Sequence, residues 1–227
     1  MDLETLWHDI WFYDLGLPSN IAKIKTVTDE YERILAIYNG PDRYYHSLNH
    51  IKFCIDKLYE IFQRPLSHIN GIDRFAIIYS VIYHDLIYNS RSSDNEEQSA
   101  NEAIKSLCAI SHKHEYYYSM KDNIRGLIMA TKHTGPPIGM WQKVICDIDL
   151  AGLGQPFEEF DRDTQLIRKE WLWANDMDFA THRAKILQGF LDKDYIYYTL
   201  PFREKYELQA RENLTRSIAK LKRVLAG

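Results

Sequence analysis

Apolar residues recur along this chain at spacings of three and four. Leu48, Ile51, Ile55, Leu58 and Phe62 form one series, and Ile72, Phe75, Ala76, Tyr79, Ile82, Tyr83 and Leu86 form a second. Met120, Ile124, Leu127, Ile128 and Thr131 repeat the pattern, as do Leu214, Ile218, Leu221 and Leu225. An α-helix turns once every ~3.6 residues, so each series lies on one stripe and predicts an amphipathic helix packed on a core. Around the last stripe, Arg211, Lys220, Lys222 and Arg223 read as a wet face rather than a nucleic-acid contact. Turn-favouring residues separate the series at Gly40-Pro41-Asp42, Arg64-Pro65, Asn89 to Asp94, Gly135-Pro136-Pro137, Gly152 to Pro156, and Pro201. Asp94 followed by Glu97 resembles a capping box, which predicts a further helix starting after Asp94. Alternating β-branched runs and long sequence repeats are both lacking. The pattern implies an all-α chain of roughly eight to ten helices, and no shift in composition divides residues 1–227, so one helical domain is expected.

Composition narrows the class. The 227 residues are 45% hydrophobic and 26% charged, enough to bury a core and unlike a disordered chain. A formal net charge of -4 provides no global footprint for nucleic acid or an anionic membrane, so an anionic substrate must be held locally. Cys54, Cys108 and Cys146 lack C-x-x-C spacing and are expected to be small apolar residues rather than disulfide or zinc partners. Met1 to Leu17 interleaves Asp2, Glu4, His8, Asp9 and Asp14 with apolar residues, unlike a basic-then-apolar leader. The longest apolar runs, such as Phe75 to Tyr79, are too short to span a bilayer. A cytoplasmic protein without a membrane partner is expected.

Several polar residues fall in or beside the apolar series. His46, His50, His84, Asp85, His133, Asp147 and Asp149 are the residue types of a mixed nitrogen and oxygen metal site. His46 and His50, four apart, share one helical face, although a histidine at a helix start also serves packing or capping. His84 and Asp85 fall at the C-terminal part of the most apolar series. An ionised carboxylate buried there needs either a cation held by deprotonated ligands or a salt bridge, with Arg43 or Lys132 as partner. On that helix their side chains diverge by about 100°, and an ion between the two directions is within reach of both. Asp147 and Asp149 point different ways in a helix, so one suits a ligand and the other a cap or an outer acceptor.

The order of these residues is that of a known set of motifs. Arg43-Tyr44-Tyr45-His46-Ser47-Leu48-Asn49-His50-Ile51 comes first, then Tyr83-His84-Asp85-Leu86-Ile87-Tyr88. Ser93-Asp94-Asn95-Glu96-Glu97-Gln98-Ser99-Ala100 and Asp147-Ile148-Asp149-Leu150-Ala151-Gly152-Leu153-Gly154 follow. Over roughly residues 40 to 215 the chain resembles the HD superfamily of metal-dependent phosphohydrolases, and within it a small family of predicted HD-domain phosphohydrolases. The resemblance implies an HD-type helical domain with His50, His84, Asp85 and Asp149 as metal ligands. Asp149 is preferred because Asp149-Leu150-Ala151 is similar to the Asp-Leu-Ser segment that supplies this ligand in related HD phosphodiesterases; Asp147 is the alternative. Ala130-Thr131-Lys132-His133-Thr134 departs from the paired histidines frequent in the family, which weighs against a second ion.

The implied cofactor is a divalent ion, one of Mn, Fe, Co, Ni, Zn or Mg. The implied activity is hydrolysis of a small phosphorylated substrate, a phosphomonoester, phosphodiester or nucleotide, by a metal-activated water. Glu96, His133 or His46 would handle the proton, and Arg43 and Lys132 would neutralise the phosphate. Arg43 and Lys132 read equally well as surface cations, and Glu97 as a first-turn acid favoured by the helix dipole. Two other classes draw on the same residues: a di-iron oxygenase recruiting His133 and the second aspartate, and a non-catalytic binder of a nucleotide or phosphorylated signal.

Overall fold

A computed structural model of the protein describes residues 2–62, 69–111 and 120–226. Among the described residues there are ten α-helices and no strand, so the chain is all-α. In chain order these are α1 (Leu3–Asp9), α2 (Ile21–Tyr38), α3 (Leu48–Ile61), α4 (Gly71–Tyr83) and α5 (Asn95–Ser111). They continue with α6 (Met120–Ala130), α7 (Gly139–Asp149), α8 (Phe157–Glu170), α9 (Asp176–Leu191) and α10 (Leu200–Ala226). A π-helical turn (Ile10–Asp14) extends α1, and a 3-10 turn (Leu150–Gly154) follows α7. The expected break at Arg64-Pro65 lies outside the described residues. Contacts divide the chain into two compact units, Met1–Ile145 and Cys146–Gly227.

The first unit is organised around α4. Every residue from Phe75 to Tyr83 is buried, and a helix buried on all faces needs neighbours on all sides. The neighbours are α3, α5, α6 and the π-helical turn. Asn70 starts α4, its Oδ1 accepting from the Asp73 backbone N–H at 3.0 Å. Gly71 follows because the π-turn backbone passes close by: a Cβ there would lie 2.9 Å from the Asp14 carbonyl oxygen. Arg74 completes that junction by donating from Nε to Asp14 Oδ2 at 2.7 Å.

Aromatic rings fill much of this core. Trp7 stacks against Tyr79 at 5.9 Å between centroids and meets Trp11 edge-on at 5.8 Å. The polar tips of Trp7 and Tyr79 reach partners on neighbouring helices, as buried tyrosines and tryptophans generally require, whereas Trp11 Nε1 is buried without one among the described residues. Trp7 Nε1 donates to Val27 O at 2.8 Å, and Tyr79 Oη donates to Ala103 O at 2.8 Å. Tyr83 Oη donates to Glu30 Oε1 at 2.5 Å, and Glu30 also accepts two hydrogen bonds from Arg33 at 2.8 Å.

Three of the four predicted stripes match α3, α6 and α10, with one difference at the fourth. The α4 helix stops at Tyr83, so His84 is its C-cap and Asp85 and Leu86 lie in the turn beyond. At the last of the predicted breaks, Pro201 is the second residue of α10. In a first turn the missing N–H of proline removes no intrahelical bond, so the interruption precedes it.

In the second unit, α9 and the 3-10 turn pack against α10, which buries Phe202, Tyr206, Ala210, Leu214, Ile218 and Leu221. Gly154 lets that turn approach: a Cβ there would lie 2.6 Å from Tyr206 Cβ. Asn213 Nδ2 donates to the carbonyls of Leu153 and Gln155 at 2.9 and 2.8 Å. Arg211 pairs with Glu207 at 2.8 Å and also donates to the carbonyls of Leu191, the last residue of α9, and Lys193 just beyond it. It is therefore a helix-end donor, while Lys220, Lys222 and Arg223 are exposed as expected.

Cys54 and Cys146 are buried, and burial pushes the Cys146 thiol up to about 12, consistent with an unreactive apolar residue. Among the described residues no helix is long and apolar enough to cross a membrane.

Trp7 is fully buried and joins α1, α2 and α4. Trp7→Ala is expected to cost about 3–5 kcal/mol of stability, and Trp7→Phe distinctly less, measured by denaturant unfolding. Equal losses would show that the ring volume is not what matters there.

Candidate metal centre

The end of α4 leaves backbone carbonyls that the helix itself does not satisfy, and each acquires a specific donor. The Val81 carbonyl accepts from His84 Nδ1 at 2.8 Å. Tyr38 Oη, from α2, donates to the Ile82 carbonyl at 2.8 Å. Leu86 N–H closes back on Tyr83 O at 3.0 Å. Arg43 then donates from Nη1 to Asp85 O and from Nη2 to Leu86 O, both at 2.6 Å.

On the far side, Ser99 in α5 holds Ile87 through both backbone groups, its Oγ accepting at 3.0 Å and donating at 3.2 Å. Asn95 holds Asn89 in the same two-sided way at 3.0 Å. The turn carrying His84 and Asp85 is thus pinned from both directions. Asn95 and Ser99 lie in the third quoted motif, but their role depends on a backbone fold that residue types alone do not reveal.

His50 enters from α3. Ser47 is the N-cap, and His50 is the third residue of the helix, buried with Ile51 and Cys54. His50 Nε2 lies 3.6 Å from Asp85 Oδ2, and His84 Nε2 lies 3.1 Å from the same oxygen. One ligand atom from each of His50, His84 and Asp85 falls within 4.8 Å of the others, so the three can hold a metal ion. Two donors at ~2.1 Å from one ion stand about 3.0–3.5 Å apart for right-angled to tetrahedral geometry. The two measured separations are close to that interval.

The histidine chemistry sharpens this. A carbonyl oxygen accepts and never donates, so His84 Nδ1 carries the hydrogen in its bond to Val81. In the neutral ring Nε2 then presents a lone pair toward a carboxylate oxygen 3.1 Å away. Two electron-rich atoms in that arrangement need a cation between them, either a proton or a metal ion. When the cation is a proton, the imidazolium charges of His84, His46 and His50 outweigh the upward push of burial and hold the Asp85 carboxyl below the usual carboxylate range. Deprotonated oxygen is the form that binds a cation.

The remaining predicted residues have distinct placements. The His46 ring stacks on Tyr88 with centroids 3.8 Å apart and lies 6.2 Å from the His50 ring, beside the cluster. Glu96, in the first turn of α5, is half-buried, and burial raises its carboxyl, helped by the negative charge of Asp85. Lys132 Nζ pairs with Glu97 Oε1 at 2.5 Å. The Glu97 carboxylate thus points to a cation on another element, while Asp94 accepts from Ser92 and Gln98 side chains. His133 sits in the turn after α6 in the left-handed region, φ 55°, its N–H bonded to Ala130 O at 3.2 Å. Arg43 meets Asp85 through the backbone carbonyl, so the alternative salt bridge from Arg43 to that carboxylate is replaced by a contact to its main chain. Cys54, read from sequence only as an apolar filler, places Sγ 3.6 Å from His50 Nε2, a contact its spacing of four from His50 permits.

Asp147 and Asp149 belong to the second unit and differ sharply there. Asp147 is fully buried, and its two oxygens accept from Tyr198 N–H and Thr199 N–H, each at 2.7 Å. Those amides precede Leu200, the first residue of α10, so Asp147 supplies acceptors at that helix start. Burial raises its carboxyl, against the pull of the two amides. Asp149, the last residue of α7, is half-buried and makes no capping bond to the 3-10 turn that follows.

No protein-family model matches the chain, and no curated protein matches its sequence.

Glu96 generates a pH-dependent prediction. Its carboxyl titrates higher in the folded chain than its ordinary value of 4.5. Its neutral form is therefore favoured by folding, and its contribution is complete below 4.5 and lost as pH rises through the folded value. Glu96→Gln is expected to stabilise the protein near neutral pH, with the advantage vanishing below that value, read from melting temperatures across pH. A pH-independent difference would show that charge at Glu96 is not responsible.

Proposed function

We propose that the protein is a metal-dependent hydrolase of small phosphate esters of the HD type, with His50, His84 and Asp85 as metal ligands. Asp149 is proposed as the further ligand on the strength of the motif resemblance. The observation that carries the reading is the Nε2 of His84, with Nδ1 committed to Val81 O, facing the Asp85 carboxylate at 3.1 Å beside the His50 imidazole. When bound, a divalent ion at such a centre supplies Lewis acidity and a water of lowered pKa.

The chain's own groups divide the remaining work. The Val81 carbonyl fixes the tautomer and direction of His84, and Arg43, Asn95 and Ser99 fix the turn that presents Asp85. Glu96, with a carboxyl raised by burial and by the charge of Asp85, suits the donation of a proton to a leaving alkoxide. His46, held flat against Tyr88 beside His50, is a second proton carrier within the same cluster. Arg43 and Lys132 bond to backbone carbonyls and to Glu97 respectively, so charge neutralisation of a phosphate falls chiefly to the ion. A phosphomonoester, a phosphodiester or a nucleotide fits that division.

Elemental analysis of the purified protein followed by a phosphoester screen tests the proposal. A stoichiometric divalent ion is expected, together with metal-dependent phosphate release. Asp85→Ala is expected to lose the ion while keeping its helical circular dichroism, and full metal retention in that variant would overturn the centre. Two irons with a visible absorption band would point instead to an oxygenase. An ion without turnover of any nucleotide or simple ester would point to a binding protein.

The two aspartates of the second unit separate in the same assay. Asp149→Ala is expected to lose metal. Asp147→Ala should retain it but lose stability, at about 1–3 kcal/mol for each buried amide left without an acceptor. The reverse pattern would make Asp147 the ligand.

A further inference from the structure

We infer that Arg43 is the positioning residue of the candidate metal centre, a strut that sets the spacing between His50 and the His84-Asp85 turn rather than a phosphate-binding cation. The inference rests on the reading of that cluster as a metal centre. Its basis is where the guanidinium N–H groups go. Arg43 Nη1 donates to His46 O at 3.0 Å and to Asp85 O at 2.6 Å, and Nη2 donates to Leu86 O at 2.6 Å. His46 lies just before α3, one helical turn ahead of His50, whereas Asp85 and Leu86 form the turn after α4. A single planar group therefore bridges the two backbone segments that carry His50, His84 and Asp85.

The group is also confined on its faces. Its central carbon lies 5.4 Å from the Tyr38 ring centroid and 5.7 Å from that of Tyr88. Tyr38 itself holds the Ile82 carbonyl, and Tyr88 stacks on His46. The two rings that flank the guanidinium thus reach opposite sides of the cluster, Tyr38 through the end of α4 and Tyr88 through His46. A planar fork with several divergent donors can span three carbonyls, whereas a lysine ammonium at the end of a flexible stem cannot hold the same three at once. The cation also faces carbonyl oxygens at a helix C-terminus, where positive charge is favoured.

Outer partners that orient metal ligands typically change metal affinity by about 10–100-fold when removed. Arg43→Ala is expected to weaken cobalt(II) binding by that factor, and to alter the visible spectrum of the cobalt-loaded protein, with helical content unchanged. Added guanidinium, far below denaturing concentrations, should restore both. Arg43→Lys keeps the charge and the stem, guards against a misfolded alanine variant, and should remain weakened. Wild-type affinity and spectrum in Arg43→Lys would show that charge alone suffices and would overturn the strut, as would wild-type behaviour of Arg43→Ala.

A metal-free measurement separates this inference from the reading beneath it. Amide hydrogen exchange of the metal-free Arg43→Lys protein should accelerate both at His50 to Ile51 and at Leu86 to Tyr88. Should the wild-type protein take up no cobalt, the metal reading fails while exchange still decides the strut: acceleration in both segments supports it, and unchanged exchange overturns it.

Discussion

A carboxylate at the end of a helix with no wet face is the constraint on which the first unit depends. The α4 helix is buried from Phe75 to Tyr83, and Asp85 follows two residues later. A charge in such a place is costly unless opposite charge or hydrogen-bond donors surround it. The structure meets that cost with imidazoles from two elements: His84 from the end of α4 itself and His50 from α3. The same residues that make Asp85 tolerable are those that let the cluster hold a cation. Stability of the turn and the chemistry of the centre are therefore one problem, since removing an imidazole affects both.

The end of α4 also shows how a buried helix terminus is completed. Its carbonyls cannot turn to water, so donors must come from elsewhere: a hydroxyl from α2, an imidazole from the helix's own cap, and a guanidinium from the loop before α3. These donors arrive from three directions and leave the turn little freedom. Tyrosine is the recurring instrument. Tyr38, Tyr79 and Tyr83 each bury an apolar ring in the core and send a hydroxyl to a carbonyl or carboxylate on another helix. Packing and polar satisfaction are thereby achieved by the same side chains.

The second unit repeats the principle with different groups. Asp147 offers its two oxygens to the amides before α10, and Arg211 offers its donors to the carbonyls at the end of α9. Both residues carry the types expected of site chemistry or a solvated face, and both serve helix ends. A charged residue near a helix terminus has this ordinary use, and only the neighbouring backbone reveals which use applies.

The periodicity of apolar residues determined the helical class, because a stripe at spacings of three and four has one geometrical meaning wherever it occurs. Residue types and their order also nominated His50, His84 and Asp85, whose proximity then followed from α3 packing against α4. Local sequence did not show that α4 ends at Tyr83, because Leu86 continues the apolar spacing while the donors that stop the helix come from residues about forty positions away. Nor did it distinguish Arg43 and Lys132 as bonded cations from free ones, since partners such as Asp85 O and Glu97 are brought near only by folding. Periodicity is a property of neighbours along the chain and is written in the sequence. The partner of a polar group is a property of neighbours in space, and only the tertiary structure decided it.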